Sequence, residues 1–211
     1  MNLTIFLIGL GAQFFYTARA LVQWIKSEKS KQIESPTLFW IFSLIGSTLF
    51  FFYGWLRDDF SILFGELLSY YIYMWNLSAK GVLKKIPKLV TYLFALVPVV
   101  IIGLMLKDLD NFTSTFFKNE NLPLYIIIWG SIGQFIYKMR FVYQWYYSVK
   151  RKESLLPVTF WWIALIGSLM IIVYGIYRLD WILIIGQIGI VASIRNIVIG
   201  NRQNSISETS K

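Results

Sequence analysis

Seven long apolar stretches constrain this chain more than any other feature, and we place them at residues 3–25, 37–57, 60–78, 87–106, 124–147, 158–178 and 181–199. At 1.5 Å per residue, a helix of about 20 residues crosses the roughly 30 Å hydrocarbon core of a bilayer. In that core every backbone polar group needs a partner within the protein, and a helix supplies those partners within one segment. The sequence therefore predicts an all-α membrane protein with seven transmembrane helices.

The composition also points to a bilayer. Hydrophobic residues make up 57% of the chain and charged residues 15%, and 18% of the residues are aromatic and can form belts at the headgroup zones. Because the chain has no Cys and no His, disulfides, thiolate nucleophiles and imidazole ligands are excluded. We predict no metal site and no cofactor, and we assign no catalytic residue.

The formal net charge of +9 arises mainly from basic residues at the ends of the apolar stretches. Lys and Arg are more frequent after the first, third, fifth and seventh stretches, as at Lys84, Lys85, Lys150 and Arg151, than on the opposite side. By the positive-inside rule, this bias predicts an N-terminus outside and a C-terminus in the cytoplasm. The pattern is typical of membrane topology, so we expect no nucleic acid partner.

The two halves of the chain resemble each other at a fixed offset of 121 residues. At this offset Arg19, Gln23 and Trp24 match Arg140, Gln144 and Trp145, and rare residues farther along also match, including Pro36 with Pro157, Phe39 with Phe160, Trp40 with Trp161, and Gly46-Ser47 with Gly167-Ser168. After a slip of one residue, Asn76 matches Asn196. The repeat unit therefore contains three helices.

Three helices invert the chain once, so a fourth must return it before a second unit can begin on the same side. The stretch 87–106 has no repeat partner and is predicted to be this linker helix. We predict a 3+1+3 arrangement of parallel copies, with the first repeat at 1–80, the linker helix and its loops at 81–122, the second repeat at 123–200 and a cytoplasmic tail at 201–211. A site that uses both copies is expected between them.

A polar stripe runs along the first helix. At about 100° per residue, Tyr16, Arg19, Gln23 and Ser27 share one face, and the second copy repeats the stripe with Tyr137, Arg140, Gln144 and Ser148. Ionisable groups within a membrane span are functional candidates, and guanidinium binds phosphate or carboxylate at two points. The stripes predict an anionic headgroup as ligand.

Other assignments of the charged residues stay open. Each stripe Arg could instead neutralise an acid of its own bundle, and Glu66 is the available intramembrane acid, with Gln187 at its repeat position. For Lys138 and Arg195 we expect side chains that extend to the membrane surface. The pairs Arg57–Asp59 and Arg178–Asp180 are interpreted as turn caps or interfacial anchors, and Gly46 and Gly167 are predicted to allow close helix contact.

Several strings of residues carry a resemblance to a known family. In the first copy they are Arg19-x3-Gln23-Trp24-x2-Ser27 and Gly65-Glu66, and in the second copy they are Arg140-Phe141-Val142-Tyr143-Gln144-Trp145 and Arg195-Asn196. These strings resemble the lipid A biosynthesis N-terminal domain family. That family, which includes the N-terminal part of lipid-A-disaccharide synthases, is in turn similar to the PQ-loop and SWEET transporters. The resemblance implies two three-helix bundles in the bacterial inner membrane.

The resemblance also implies a function. We expect a multi-pass protein that binds a lipid-linked sugar phosphate, or another anionic glycolipid of lipid A or envelope glycan synthesis, and moves it across the inner membrane as a flippase does. Arg19 and Arg140 would hold the phosphate, Trp24 and Trp145 would stack on the sugar, and the remaining residues of the predicted site are Gln13, Gln23, Glu66, Asn76, Gln134, Gln144, Gln187 and Asn196.

Three alternatives remain. The chain could be a non-catalytic membrane subunit whose partner is a lipid A or polyprenyl-sugar glycosyltransferase, or a SWEET-like carrier of soluble sugars. An enzyme would have to use Glu66 with Asp59 or Asp180 as its acid and base. Because we recognise no nucleotide-binding loop, we expect no glycosyl transfer by this chain alone, even if the family is named after lipid-A-disaccharide synthase.

Overall fold

The computed structural model describes residues 3–56, 60–105, 123–179, 184 and 186–209. Within these ranges the chain forms seven α-helices: α1 (Leu3–Ser30), α2 (Thr37–Leu56), α3 (Phe60–Ala79), α4 (Lys88–Met105), α5 (Leu124–Arg151), α6 (Val158–Arg178) and α7 (Ile190–Thr209). A 3₁₀ turn, Leu83–Lys85, precedes α4. The predicted all-α class is therefore confirmed.

The boundaries of α1 to α6 agree with the predicted stretches within a few residues, except that α1 and α5 extend farther at their C-terminal ends. The seventh helix differs: residues 186–189 form turns, α7 begins at Ile190, and it continues to Thr209 through most of the predicted tail. Arg57, Asp59, Asp180 and the segment 106–122 lie outside the described residues.

In the described part of the chain, three helices are long and apolar enough to cross a membrane: Leu3–Ser30, Thr37–Leu56 and Val158–Tyr177. Lys88–Leu104 is a shorter apolar helix. Helix α5 includes Lys138 and Arg140 among its apolar residues, which lowers its average hydropathy. The other four predicted spans and the orientation of the termini stay predictions.

The links that follow α1 and α5 have the same local geometry. Each helix is followed directly by a residue with left-handed backbone, Lys31 with φ 55° and Lys152 with φ 53°. Each following helix begins just after a proline, where the missing N–H removes no helical hydrogen bond, and the Pro36 and Pro157 carbonyls each accept a 3.0 Å bond from the N–H three residues later. The two links lie 121 residues apart.

The chain divides into two compact units. Unit 1 comprises Met1–Tyr16 and Trp40–Leu122. Its core is rich in aromatic rings, with Phe51 edge-on to Tyr70 at 5.4 Å and Trp40 6.2 Å from Tyr73. A Cβ added at Gly46 would lie 3.0 Å from the Tyr16 ring, which confirms the close contact predicted at this glycine.

Helix α4 packs on α3 in unit 1, and a proline shapes this contact. Pro98 is buried within α4 and has no N–H to donate to the carbonyl of Phe94, one turn earlier. The hydroxyl of Tyr70 donates to that carbonyl at 2.9 Å, and the hydroxyl of Tyr71 donates to the Ala95 carbonyl at 3.1 Å. Side chains of α3 thus satisfy the backbone group that the proline frees.

Unit 2 comprises Thr17–Phe39 and Pro123–Lys211. Helix α5 packs on α6, and α6 packs on α7. At Gly167 an added Cβ would lie 2.7 Å from the backbone nitrogen of Tyr137, so α6 and α5 meet at the backbone, as the sequence predicted. At Gly200 an added Cβ would overlap the side chain of Val158, which shows equally close packing of α7 on the start of α6.

Candidate functional site

Two guanidinium groups meet at one aromatic ring in unit 2. The Cζ atom of Arg19 lies 5.3 Å from the centroid of Phe141, and the Cζ atom of Arg140 lies 4.8 Å from the same centroid. Arg19 is 9% exposed and Arg140 is 6% exposed. Helices α1 and α5 therefore bring the two stripe arginines together, although the residues are far apart in the chain.

Further rings surround the same two side chains. Arg140 Cζ lies 3.6 Å from the centroid of Tyr137 and 5.3 Å from that of Phe160, and Arg19 Cζ lies 5.5 Å from that of Phe39. A guanidinium group carries five N–H donors in its plane, so a ring that stacks on its face leaves the donors at the edge. The arrangement favours ligands that approach the edge, such as a phosphate.

The sequence placed Tyr137 on the polar stripe but did not assign Phe39, Phe141 or Phe160 to the site. Phe39 and Phe160 match each other at the repeat offset, and Phe141 directly follows Arg140. A repeated aromatic residue near a repeated Arg was the available signal. It was missed because an aromatic residue in an apolar helix is usually part of the core.

Gln23 lies at the centre of a buried amide network and has no exposed surface. Its Nε2 donates to Asn196 Oδ1 at 2.8 Å, and Asn196 Nδ2 donates back to Gln23 Oε1 at 2.9 Å. The same Nε2 lies 2.9 Å from Ser27 Oγ and 3.3 Å from the Glu34 carbonyl, so its two hydrogens serve several acceptors. This network ties α1 to α7 and to the link after α1.

Gln144 makes the corresponding contacts in the second copy. Its Nε2 donates to Ser148 Oγ at 2.8 Å and to the Leu155 carbonyl at 2.8 Å, and the Leu155 N–H donates to Ser148 Oγ at 3.1 Å. Gln144, Ser148 and Leu155 stand 121 residues after Gln23, Ser27 and Glu34. Both glutamines thus hold the link that follows their own helix.

Glu66 and Asn76 lie in unit 1. Glu66 is buried, and its carboxylate accepts hydrogen bonds from the hydroxyls of Tyr16 and Ser47. Asn76 is fully buried and donates to the Ile72 carbonyl at 2.8 Å. Both polar side chains are therefore integrated in the packing of their own unit.

The remaining predicted site residues fall into two groups. Gln13, Gln134 and Trp145 are exposed on their helices. Gln187 is buried and Trp24 is half-buried, and among the described residues neither Gln187 Oε1 nor Trp24 Nε1 has a hydrogen-bond partner. Buried polar atoms of this kind are usually satisfied, so these two atoms can each still form a hydrogen bond with a ligand.

Arg195 was expected to extend to the membrane surface, but the structure gives it a defined partner. Its Nε and one terminal nitrogen donate to the two carboxylate oxygens of Glu28 at 2.6 and 2.7 Å. Glu28 also pairs with Lys31. This two-point ion pair links the end of α1 to α7 and was not predicted, because Glu28 and Arg195 are distant in sequence.

Comparison with known proteins gives the family. The Lipid A Biosynthesis N-terminal domain family matches residues 8–78 and residues 129–198. The chain belongs to this family. The resemblance found in the sequence motifs is therefore confirmed, whereas the relation to PQ-loop and SWEET transporters stays a prediction.

Curated relatives are lipid-A-disaccharide synthases. The protein of Chlamydia felis is 30% identical over 211 residues, which cover 95% of this chain and 34% of the relative. The protein of Chlamydia abortus is 30% identical with the same coverage, and that of Chlamydia pneumoniae is 29% identical over 174 residues, or 80% of this chain and 29% of the relative. The chain thus spans about a third of these relatives' length. No solved structure matches the chain.

Proposed function

We propose that this protein spans the bacterial inner membrane several times, binds a lipid-linked sugar phosphate or related glycolipid of the lipid A pathway, and moves it across the membrane. The observation that carries the proposal is the pair of buried guanidinium groups on the Phe141 ring. Membership of the lipid A biosynthesis family supports the substrate class.

Electrostatics favour an anion at this pair. Because both Cζ atoms lie within 5.3 Å of one ring centroid, the two charges are at most about 10 Å apart. At an effective dielectric constant of about 20, two like charges at about 10 Å repel by roughly 1.7 kcal/mol. A phosphate near both groups replaces this repulsion with attraction and uses their N–H forks.

The sugar contacts follow from the capacity of the other side chains. Gln23, Gln144 and Asn196 bond to protein groups, so in our proposal they position the helices and links around the ligand. Gln187 Oε1 can accept from a sugar hydroxyl and Trp24 Nε1 can donate to one, since neither has a partner in the described part of the chain. The phosphate and the sugar would then contact different residues.

A two-copy architecture of three plus one plus three helices is part of the proposal. Two separate segments, 8–78 and 129–198, match the same family. Two local features that recur at an offset of 121 residues support the same arrangement. One is the glutamine–serine hydrogen bond, and the other is the single residue with left-handed backbone that follows the helix. Parallel copies of this kind occur in transporters, which favours movement of the ligand over static binding.

Binding is tested by native mass spectrometry of the gently extracted protein. We expect a defined phosphorylated glycolipid on the wild type and its loss from an Arg19→Lys, Arg140→Lys variant, because Lys keeps the charge but lacks the planar fork. Lys138→Gln, which removes a cation from the same helix two residues before Arg140, is the matched control. Equal glycolipid retention in all three proteins would contradict the proposed site.

Movement is tested by locking the two links. Ser35 Oγ and Ser154 Oγ lie 3.4 Å apart in unit 2, and the chain has no cysteine of its own. In a Ser35→Cys, Ser154→Cys variant in vesicles, we expect oxidation to stop transbilayer movement of the bound glycolipid and reduction to restore it, with glycolipid retention unchanged. Movement that continues in the crosslinked protein would contradict a carrier that opens at these links.

A second function is favoured by the comparisons. Since the relatives are lipid-A-disaccharide synthases of which this chain covers about a third, the chain could serve as the non-catalytic membrane subunit of a separate glycosyltransferase. Under this alternative, a glycosyltransferase co-purifies with the chain and is more active with it. The pure chain in vesicles then moves no glycolipid.

A further inference from the structure

Unit 1 contains a cavity of about 170 Å³ that uses no residue of the arginine site. Its wall is formed by α2, α3, α4 and the 3₁₀ turn, with Leu44, Met74, Leu83, Ile86 and Phe94 among the lining residues. The surface of the cavity is apolar, and Thr91 lines it without presenting its hydroxyl. We propose that this cavity holds part of one acyl chain of an anionic phospholipid whose phosphate lies at Lys84 and Lys85.

The size and lining of the cavity select hydrocarbon. An apolar cavity of about 150 Å³ lined by Leu, Ile and Phe stays free of water and binds small apolar molecules. Around a protein that spans a membrane, acyl chains are the most concentrated hydrocarbon. A few methylene groups of one chain fill a volume of this size.

The 3₁₀ turn adds charge at the same place. Leu83, in the turn, and Ile86, the extended residue that follows the turn, both line the cavity. Lys84 and Lys85, between them in the chain, are exposed. A lipid whose chain enters beside Leu83 therefore has its phosphate within reach of two lysines, and this complementarity favours an anionic headgroup.

The hydroxyl of Thr91 takes no part in the proposed contact. Thr91 lines the cavity from α4, but its Oγ1 atom is buried and presents no surface to the cavity. The lipid is therefore held by its acyl chain in the apolar lining and by its phosphate at Lys84 and Lys85.

The test uses the full chain in detergent with equal amounts of phosphatidylglycerol and phosphatidylcholine that carry the same acyl chains, followed by native mass spectrometry. We expect one phosphatidylglycerol per chain, retained over phosphatidylcholine. Removing two lysines that contact a phosphate, in Lys84→Gln, Lys85→Gln, should weaken retention roughly 30-fold. Lys26→Gln, Lys29→Gln, which removes two exposed cations near the end of α1, should leave it unchanged.

Two further variants test the cavity itself. Leu83→Phe should reduce retention of both lipids because the larger ring occupies the chain's place. Thr91→Val keeps the side-chain shape and removes a hydroxyl that presents no surface to the cavity, so it should leave phosphatidylglycerol retention unchanged. Helicity and a single elution peak establish that each variant folds, and the lysine variant keeps the test decisive if Leu83→Phe does not.

The outcomes separate this site from the proposed function. Equal retention of both lipids by the wild type, or unchanged phosphatidylglycerol binding in the lysine variant, would overturn the inference. The Arg19→Lys, Arg140→Lys variant should keep phosphatidylglycerol at this site, because none of the lining residues is changed. Loss of glycolipid binding with retained phosphatidylglycerol would therefore concern the arginine site alone.

Discussion

The reciprocal amide pair between Gln23 and Asn196 offers the sharpest test of how this protein is held together. Both side chains are fully buried, and they exchange two hydrogen bonds of 2.8 and 2.9 Å. Replacing either residue with Leu leaves the other amide with a lost donor and a lost acceptor. Replacing both removes the polar groups together, and an apolar contact can then take the place of the pair.

The expected magnitude follows from the number of bonds. Hydrogen bonds between membrane helices contribute about 0.6 kcal/mol on average and about 1.7 kcal/mol at most. Two such bonds predict a coupling energy of about 1 to 3 kcal/mol between Gln23→Leu and Asn196→Leu. The double variant should therefore lose less free energy of unfolding than the two single variants lose in sum.

The assay is reversible unfolding in mixed micelles by titration with sodium dodecyl sulfate, followed by far-ultraviolet circular dichroism. Gln23→Leu combined with Gln134→Leu is the control, since Gln134 is exposed and its effect should add independently. Independent sites add within about 0.5 kcal/mol. A coupling energy between Gln23 and Asn196 inside that limit would refute a structural role for the pair and return both residues to the predicted sugar site.

Two further predictions concern packing. Gly167→Ala should destabilise the protein by about 1–3 kcal/mol because its Cβ meets the α5 backbone. Gly103→Ala should be neutral or stabilising by about 0.5–1 kcal/mol, since its Cβ meets nothing within 4 Å among the described residues. Thermal unfolding compares the two variants, and equal effects would contradict the close contact at Gly167. Tyr70→Phe should lower the free energy of unfolding by about 1 kcal/mol in the same assay. The loss should be smaller in a Pro98→Ala background, where the helix regains its own N–H donor. An equal loss in both backgrounds would mean that the Tyr70 hydroxyl does not satisfy the carbonyl that the proline frees.

The helices and most of their boundaries could be predicted from the sequence. Long apolar runs, the prolines at 36 and 157 and the charged ends fix where helices begin and end, because these are local preferences of the backbone and of each side chain. The seventh helix was the exception. Its predicted range began at 181, but the turns at 186–189 precede a helix that continues to Thr209. Apolar character alone does not tell a turn from a helix.

The candidate site was predicted in part. Helical periodicity placed Arg19 and Gln23 on one face, and the repeat placed Arg140 and Gln144 on another. It could not say which protein groups each of these residues contacts. The structure shows Gln23 bonded to Asn196, and both arginines at the Phe141 ring.

By itself, then, the sequence determined the helical class, most of the helix boundaries, the repeat offset and the face on which each polar residue of the stripes lies. Only the tertiary structure decided the partners: Asn196 for Gln23, Glu28 for Arg195, and the α3 hydroxyl of Tyr70 for a carbonyl of α4. The physical reason is that helix formation depends on residues within a few positions of each other. A buried polar group instead takes whichever partner the packing of distant helices brings within hydrogen-bond distance.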